Sequence, residues 1–229
     1  MSPFGVETII LLSIFGILVL FAGFLVGFSF KNVNFKYSMT RDFPSELIDK
    51  STKNVFLLRL GLFLYVLSGF IPLFLLLTNM SSYEGIFTFS LFVIVINVFV
   101  ALLTLFIFFI PIFYVKQHAI LSTVFMSVSL LANALTSYYG FFTYFLNQKY
   151  SVATPGDIVY GSVLALIAIL EAILIFSPKL KDWAKLQNEG KDNNGWTRPK
   201  FFPLAYTEWA FILLNCFGVI LFILILVRI

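Results

Sequence analysis

Glu171 lies inside the apolar run Ile158 to Phe176. A charge in such a run must have a partner, a proton or a use, because taking it out of water is expensive. Two more charges interrupt apolar runs, Arg59 and Glu208, and so do three asparagines, Asn97, Asn133 and Asn215. These residue types allow two kinds of chemistry. The first is structural: an Arg59 salt bridge to one acid with the other acid protonated or hydrogen-bonded, since two carboxylates and one cation are not all cheaply charged in low dielectric. The second is an ion or proton relay, in which a carboxylate exchanges a proton as a solute moves. Arg59 and Glu208 are also near enough to helix ends to snorkel to the interface. Glu171, on a shorter run, has less room to escape.

Other reactive side chains are few. His118 is the only histidine and Cys216 the only cysteine, so an intramolecular disulfide is excluded, no Cys/His cluster of the zinc, haem or iron-sulfur kind is available, and no metal or cofactor is expected. His118 falls beside Lys116 and Gln117 in what reads as a tight turn, where solvation is its ordinary state and proton shuttling at a pore mouth the functional alternative. Enzyme signatures are missing. Gly190-Lys191 lacks the upstream glycine spacing of a P-loop, and there is no H-E-x-x-H, no G-x-S-x-G and no pair of intramembrane aspartates. A lipid enzyme using Glu171 or Glu208 as a base is a remote third reading, and a non-enzyme is expected.

The elements that position these residues follow from composition. Of 229 residues, 60% are hydrophobic, 19% aromatic and only 11% charged, which excludes a soluble domain with a charged surface and predicts an all-α integral membrane protein. Apolar runs long enough to cross a bilayer fall at 9–30, 54–77, 86–113, 119–145, 158–176 and 203–227. They predict one six-transmembrane-helix bundle over residues 1–229, the first span being retained because no cleavage site precedes a soluble domain. Short interfacial helices are expected in loop 1, where Asp42 would cap and Pro44 open the first turn, and in loop 5 over Lys179 to Gln187, with Leu180, Trp183 and Ala184 on the membrane surface. Tyr138, Tyr139, Tyr144, Trp183, Trp196 and Trp209 read as interface-belt anchors.

Polar residues recur on single helix faces. Ser90, Asn97, Thr104 and Pro111 repeat every seven residues in the third span, and Ser122, Ser129, Asn133, Thr136 and Gly140 share one face of the fourth. Two facing seams are expected, serving interhelical hydrogen bonds or a hydrated solute path. In the first span Gly16, Gly23 and Gly27 share a face suited to helix packing, and with less weight to a partner membrane protein or a second copy of the chain.

Charge sets the expected orientation. Loop 1 carries Lys31, Lys36, Arg41, Lys50 and Lys53, loop 3 carries Lys116, and loop 5 carries Lys179, Lys181, Lys185, Lys191, Arg198 and Lys200; loops 2 and 4 hold only Lys149. The positive-inside rule then places the long loops in the cytoplasm and both termini outside. These loops would meet anionic headgroups, a more ordinary account of the pI of 9.1 than nucleic-acid binding. Thirty phenylalanines with frequent Lys and Asn fit an AT-rich genome, favouring the plasma membrane of a low-GC bacterium, with an organelle or ER membrane as alternatives.

Counting residues from helix ends puts Arg59, Glu171 and Glu208 in one layer, roughly 7 to 8 Å inside the cytoplasmic boundary, with Asn97, Asn133 and Asn215 near the midplane. The expected function is a permease or permease subunit for an ion or small solute, the alternative a non-catalytic structural or assembly subunit of a membrane complex. Against transport stands the lack of half-helix breaks at corresponding positions and of a three-plus-three repeat.

Overall fold

In a computed structural model the protein is described over residues 6–31, 37–50, 55–78, 86–110, 114–149, 155–181 and 201–226. Those residues form helices α1 (Val6–Lys31), α2 (Pro44–Lys50), α3 (Val55–Gly69), α4 (Ile71–Thr78), α5 (Phe87–Phe109), α6 (Val115–Lys149), α7 (Pro155–Ile175), α8 (Pro178–Lys181) and α9 (Pro203–Leu226). Among the described residues, six helical segments are long and apolar enough to cross a membrane, the second made of α3 and α4 together. The all-helical six-span expectation is met, and the fold suits a polytopic membrane protein.

Three helix boundaries depart from the sequence reading, two of them for a backbone reason. The third span stops at Phe109, because Ile110 precedes Pro111 and adopts an extended conformation, φ −87 and ψ 108, as a residue before proline prefers. Pro111, the last residue of the expected α5 seam, lies outside the described residues. The second span is broken at Phe70, where Phe70 N–H bonds Leu67 O at 3.1 Å and Leu73 N–H bonds Phe70 O at 3.0 Å. Pro72 has no N–H to offer Ser68 O, and its ring crowds that carbonyl. The fourth span begins at Val115 rather than at Ala119 and runs for 35 residues, roughly 50 Å at 1.5 Å per residue. Lys116, Gln117 and His118 are its first turn and not a connecting loop.

The loop 1 helix is present but does not lie on a surface. Asp42 to Ile48 are buried throughout, and α2 packs against α5 and α9. Its cap also differs: Glu46 reaches back to the Phe43 N–H at 2.9 Å, half of a capping box, while Asp42 accepts from Ser38 N–H at 2.9 Å and pairs with Arg41 at 3.2 Å. In loop 5 only the single turn Pro178–Lys181 is described. Leu180 packs against the core there, and Trp183, Ala184 and Trp196 lie outside the described residues.

Helices α6 and α7 pack antiparallel and close. A Cβ on Gly140 would come within 3.1 Å of Gly161 Cα, so this crossing requires that neither helix carry a side chain there. On the other side of the bundle, α1 runs along α3, and the glycine that permits it is Gly61, whose Cβ would sit 3.0 Å from Ala22 O. Gly16, Gly23 and Gly27 have nothing within 4 Å of a Cβ position and take no part in that contact. The apolar core of the described residues divides in three, the smallest part being Phe15, Ile71, Leu75, Val219 and Ile223 between α1, α4 and α9. Phe43, Leu47, Phe125, Phe202 and Phe211 fill the end carrying the basic loops, Tyr139, Leu164, Phe222 and Ile225 fill the other, and polar side chains lie between and among them.

Candidate functional site: two buried carboxylate centres on one helix

Every buried acid of the spans meets α6, and does so on the face that Ser122, Ser129, Asn133 and Thr136 define. The first centre is at the basic-loop end. Glu208, five residues into α9, is fully buried, as is His118; His118 Nε2 lies 3.0 Å from Glu208 Oε1, and Ser122 Oγ contacts the same oxygen. His118 Nδ1 lies 2.9 Å from Ile110 O. A carbonyl only accepts, so Nδ1 carries a proton. Nε2 and Oε1 therefore hold either one proton between neutral partners or the imidazolium–carboxylate pair. Ser122 has one hydroxyl proton and two acceptors in reach, Glu208 Oε1 and His118 O at 2.8 Å, so it can follow whichever state the pair adopts.

A lid of polar backbone and aromatic rings covers this centre. Phe43 stacks edge-on against the His118 ring at 5.3 Å. Trp209 Nε1 donates to Tyr37 Oη and to Asp42 O, each at 3.1 Å, and Tyr37 donates to Phe43 O at 2.7 Å. Burial pushes the Tyr37 phenol above its ordinary pKa, which keeps it a donor. Phe202 N–H bonds Thr40 O at 2.8 Å, tying the lid to the start of α9.

The second centre is about eleven residues further along α6, roughly 16 Å by helical rise. Asn133 Nδ2 donates to Glu171 Oε1 at 3.0 Å and to Asn215 Oδ1 at 3.2 Å; Asn215 Nδ2 approaches the same Glu171 oxygen at 3.4 Å and bonds Phe211 O at 2.7 Å. Gly218 makes room for this. A Cβ there would stand 2.5 Å from Asn133 Oδ1. Glu171 is fully buried, and its Oε2 and the Ser129 hydroxyl have no hydrogen-bond partner among the described residues. Glu208 Oε2 is in the same condition.

The expected single layer of Arg59, Glu171 and Glu208 is therefore replaced by two centres. Glu171 joins Asn133 and Asn215 because α6 outruns α7: helix ends in this bundle are staggered, and counting inward from each end misplaces the acid. Arg59 joins neither. It is exposed, with its guanidinium 5.7 Å from the Phe109 ring centroid, a cation–π contact worth about 0.5–1 kcal/mol. Glu208 does not snorkel, and His118 is not solvated in a turn. Asn97 sits elsewhere on the seam, donating to Thr136 Oγ1 at 3.0 Å and Val93 O at 2.9 Å.

The facing seams of α5 and α6 meet at Asn97–Thr136 and at Ser90–Tyr139, 2.8 Å, but Thr104 bonds its own Val100 O, and Ser122 and Asn133 turn to α9 and α7. Tyr139 and Trp209 are buried rather than belt anchors; Tyr138 is exposed. The His118–Glu208 pair escaped sequence reasoning, because Lys116-Gln117-His118 read as a turn between two spans.

No group of three or more His, Cys, Asp or Glu side chains capable of holding a metal occurs among the described residues. A groove lined by Thr123, Met126, Ser127, Ile175, Leu180 and Leu204 opens on the flank of α6, and none of the asparagines or buried acids lines it. No protein-family model matches the chain, and neither a curated protein nor a solved structure matches it.

Proposed function

We propose that the chain is a permease, or the membrane-embedded subunit of one, for an ion or small solute. The observation that carries this reading is Glu171, fully buried with one carboxylate oxygen unpartnered among the described residues while Arg59 stands outside on the bundle surface. Both oxygens of a carboxylate with only a packing role would be satisfied, since a half-satisfied buried polar group is worse than an apolar one. Buried acids facing the bundle interior are the usual mark of an ion or proton path. The second acid, Glu208, with its movable proton partners His118 and Ser122, meets the same face of α6 and supports a route rather than a single contact.

The test is flux in proteoliposomes containing Glu171→Gln, with fold verified by size exclusion and helical content. Loss of flux supports the reading, and unaltered flux with an unaltered fold removes its basis. A structural or assembly subunit is the second reading, favoured by the direct closure of Asn133 on Asn215 and of Asn97 on Thr136. Co-purification of a membrane partner whose loss unfolds the chain would select it. Neither reading gives the chain a catalytic step. Under either reading the positive-inside rule puts basic loops 1 and 5 on the cytoplasmic face, next to anionic headgroups.

A further inference from the structure

The Glu171 centre lacks a component whichever way its proton is assigned. Oε1 accepts from Asn133 and approaches Asn215, so a proton on the carboxyl group would sit on Oε2, where it has no acceptor among the described residues. Without that proton the carboxylate is a buried charge with no cation facing it among the described residues. Ser129 is the second observation. Its hydroxyl is fully buried and unpartnered among the described residues, and it stands one helical turn from Asn133 on the same face of α6. The antiparallel register brings it level with Glu171, because Ser137 bonds Gly161 O two turns beyond and Asn133 bonds Glu171 itself.

We propose that Glu171 and Ser129 bind a monovalent cation of the sodium class. The ligands are Glu171 Oε2 and Ser129 Oγ, while the Asn133 and Asn215 amides hold Oε1 and orient the carboxylate. Hard oxygen donors suit an alkali cation. One carboxylate among neutral donors balances one positive charge; a divalent ion would leave an excess charge in low dielectric. This site is unlike the Cys/His clusters that the composition excludes. It deepens the permease reading, and rests on it for the cation's role as the coupling ion; binding itself does not depend on it.

The test is the melting temperature of the detergent-purified full chain in NaCl against choline chloride at equal ionic strength and pH. Sodium is expected to give a saturable rise of roughly 5 to 10 °C at a hundredfold excess over Kd. Glu171→Gln should abolish it. Ser129→Ala, a smaller change that keeps the fold if Glu171→Gln does not, should raise the half-saturating sodium concentration about tenfold, the scale of one lost polar contact. Absence of a sodium-specific rise, or a rise unchanged in Ser129→Ala, overturns the site. Flux driven by a pH gradient with no sodium effect on melting would overturn the site and leave the permease; sodium stabilisation lost in Glu171→Gln with no flux would do the reverse.

Discussion

His118 and Glu208 meet at 3.0 Å with both side chains fully buried, 90 residues apart in the chain and at the opening turns of two parallel helices. The contact ties the start of α6 to the start of α9 beneath the Phe43 ring, and it makes the basic-loop end of the bundle a packed structure rather than a frayed one.

Removing one partner should cost far more than the contact is worth. His118→Ala leaves Glu208 buried with only Ser122 beside it, and a loss of about 3–5 kcal/mol is expected. Glu208→Gln keeps an oxygen and a donor in place and should lose less than half of that. Thermal unfolding of the two variants checks the order, and equal losses would mean that an amide cannot stand in for the carboxylate.

Trp209→Phe separates the lid's hydrogen bonds from its packing. The ring that lies edge-on to Phe108 at 5.6 Å is retained in kind, while the bonds from Nε1 to Tyr37 and Asp42 are lost. About 1–2 kcal/mol should go, and limited proteolysis should gain a cut near Tyr37 to Asp42 with the transmembrane fragments intact.

Gly218→Ala tests the Asn133 position. A Cβ 2.5 Å from Asn133 Oδ1 forces that side chain off Glu171 or moves α9, at about 1–3 kcal/mol. Gly23→Ala meets nothing within 4 Å and should be silent or slightly stabilising in the monomer, since alanine is the better helix former. A matched pair of melting curves distinguishes the two glycines.

Arg59→Gln should change stability by no more than about 1 kcal/mol, the worth of its contact with Phe109, and should leave the properties of Glu171 untouched. A loss of several kcal/mol would instead restore an ion pair with one of the buried acids.

Orientation is open to a direct measurement. With Cys216 replaced by Ser, single cysteines in loop 5 and near the amino terminus should label from opposite sides of a sealed vesicle, loop 5 from the cytoplasmic side. Labelling of both from one side would overturn the assignment.

The chain's composition and the length of its apolar runs were enough for the class, the number of spans and the two seams, because lipid requires each crossing segment to satisfy its own backbone and so writes the helices into local sequence. Glu171, Asn133 and Asn215 were legible as interior residues for the same reason: a polar group in an apolar run has nowhere else to face. Their grouping was not legible. Which acid meets which asparagine depends on how far α6 overruns α7, and on how closely Gly140 lets Gly161 approach, quantities that no single helix contains. His118 illustrates the limit. Its place in a short polar stretch read as a solvated turn, and only the stop at Ile110 and the approach of α9 converted that stretch into the first turn of a helix, with the histidine buried against Glu208. Sequence determined what had to be inside, because burial is a property of each residue; tertiary structure decided the partners, because the stagger and crossing of helices are properties of pairs.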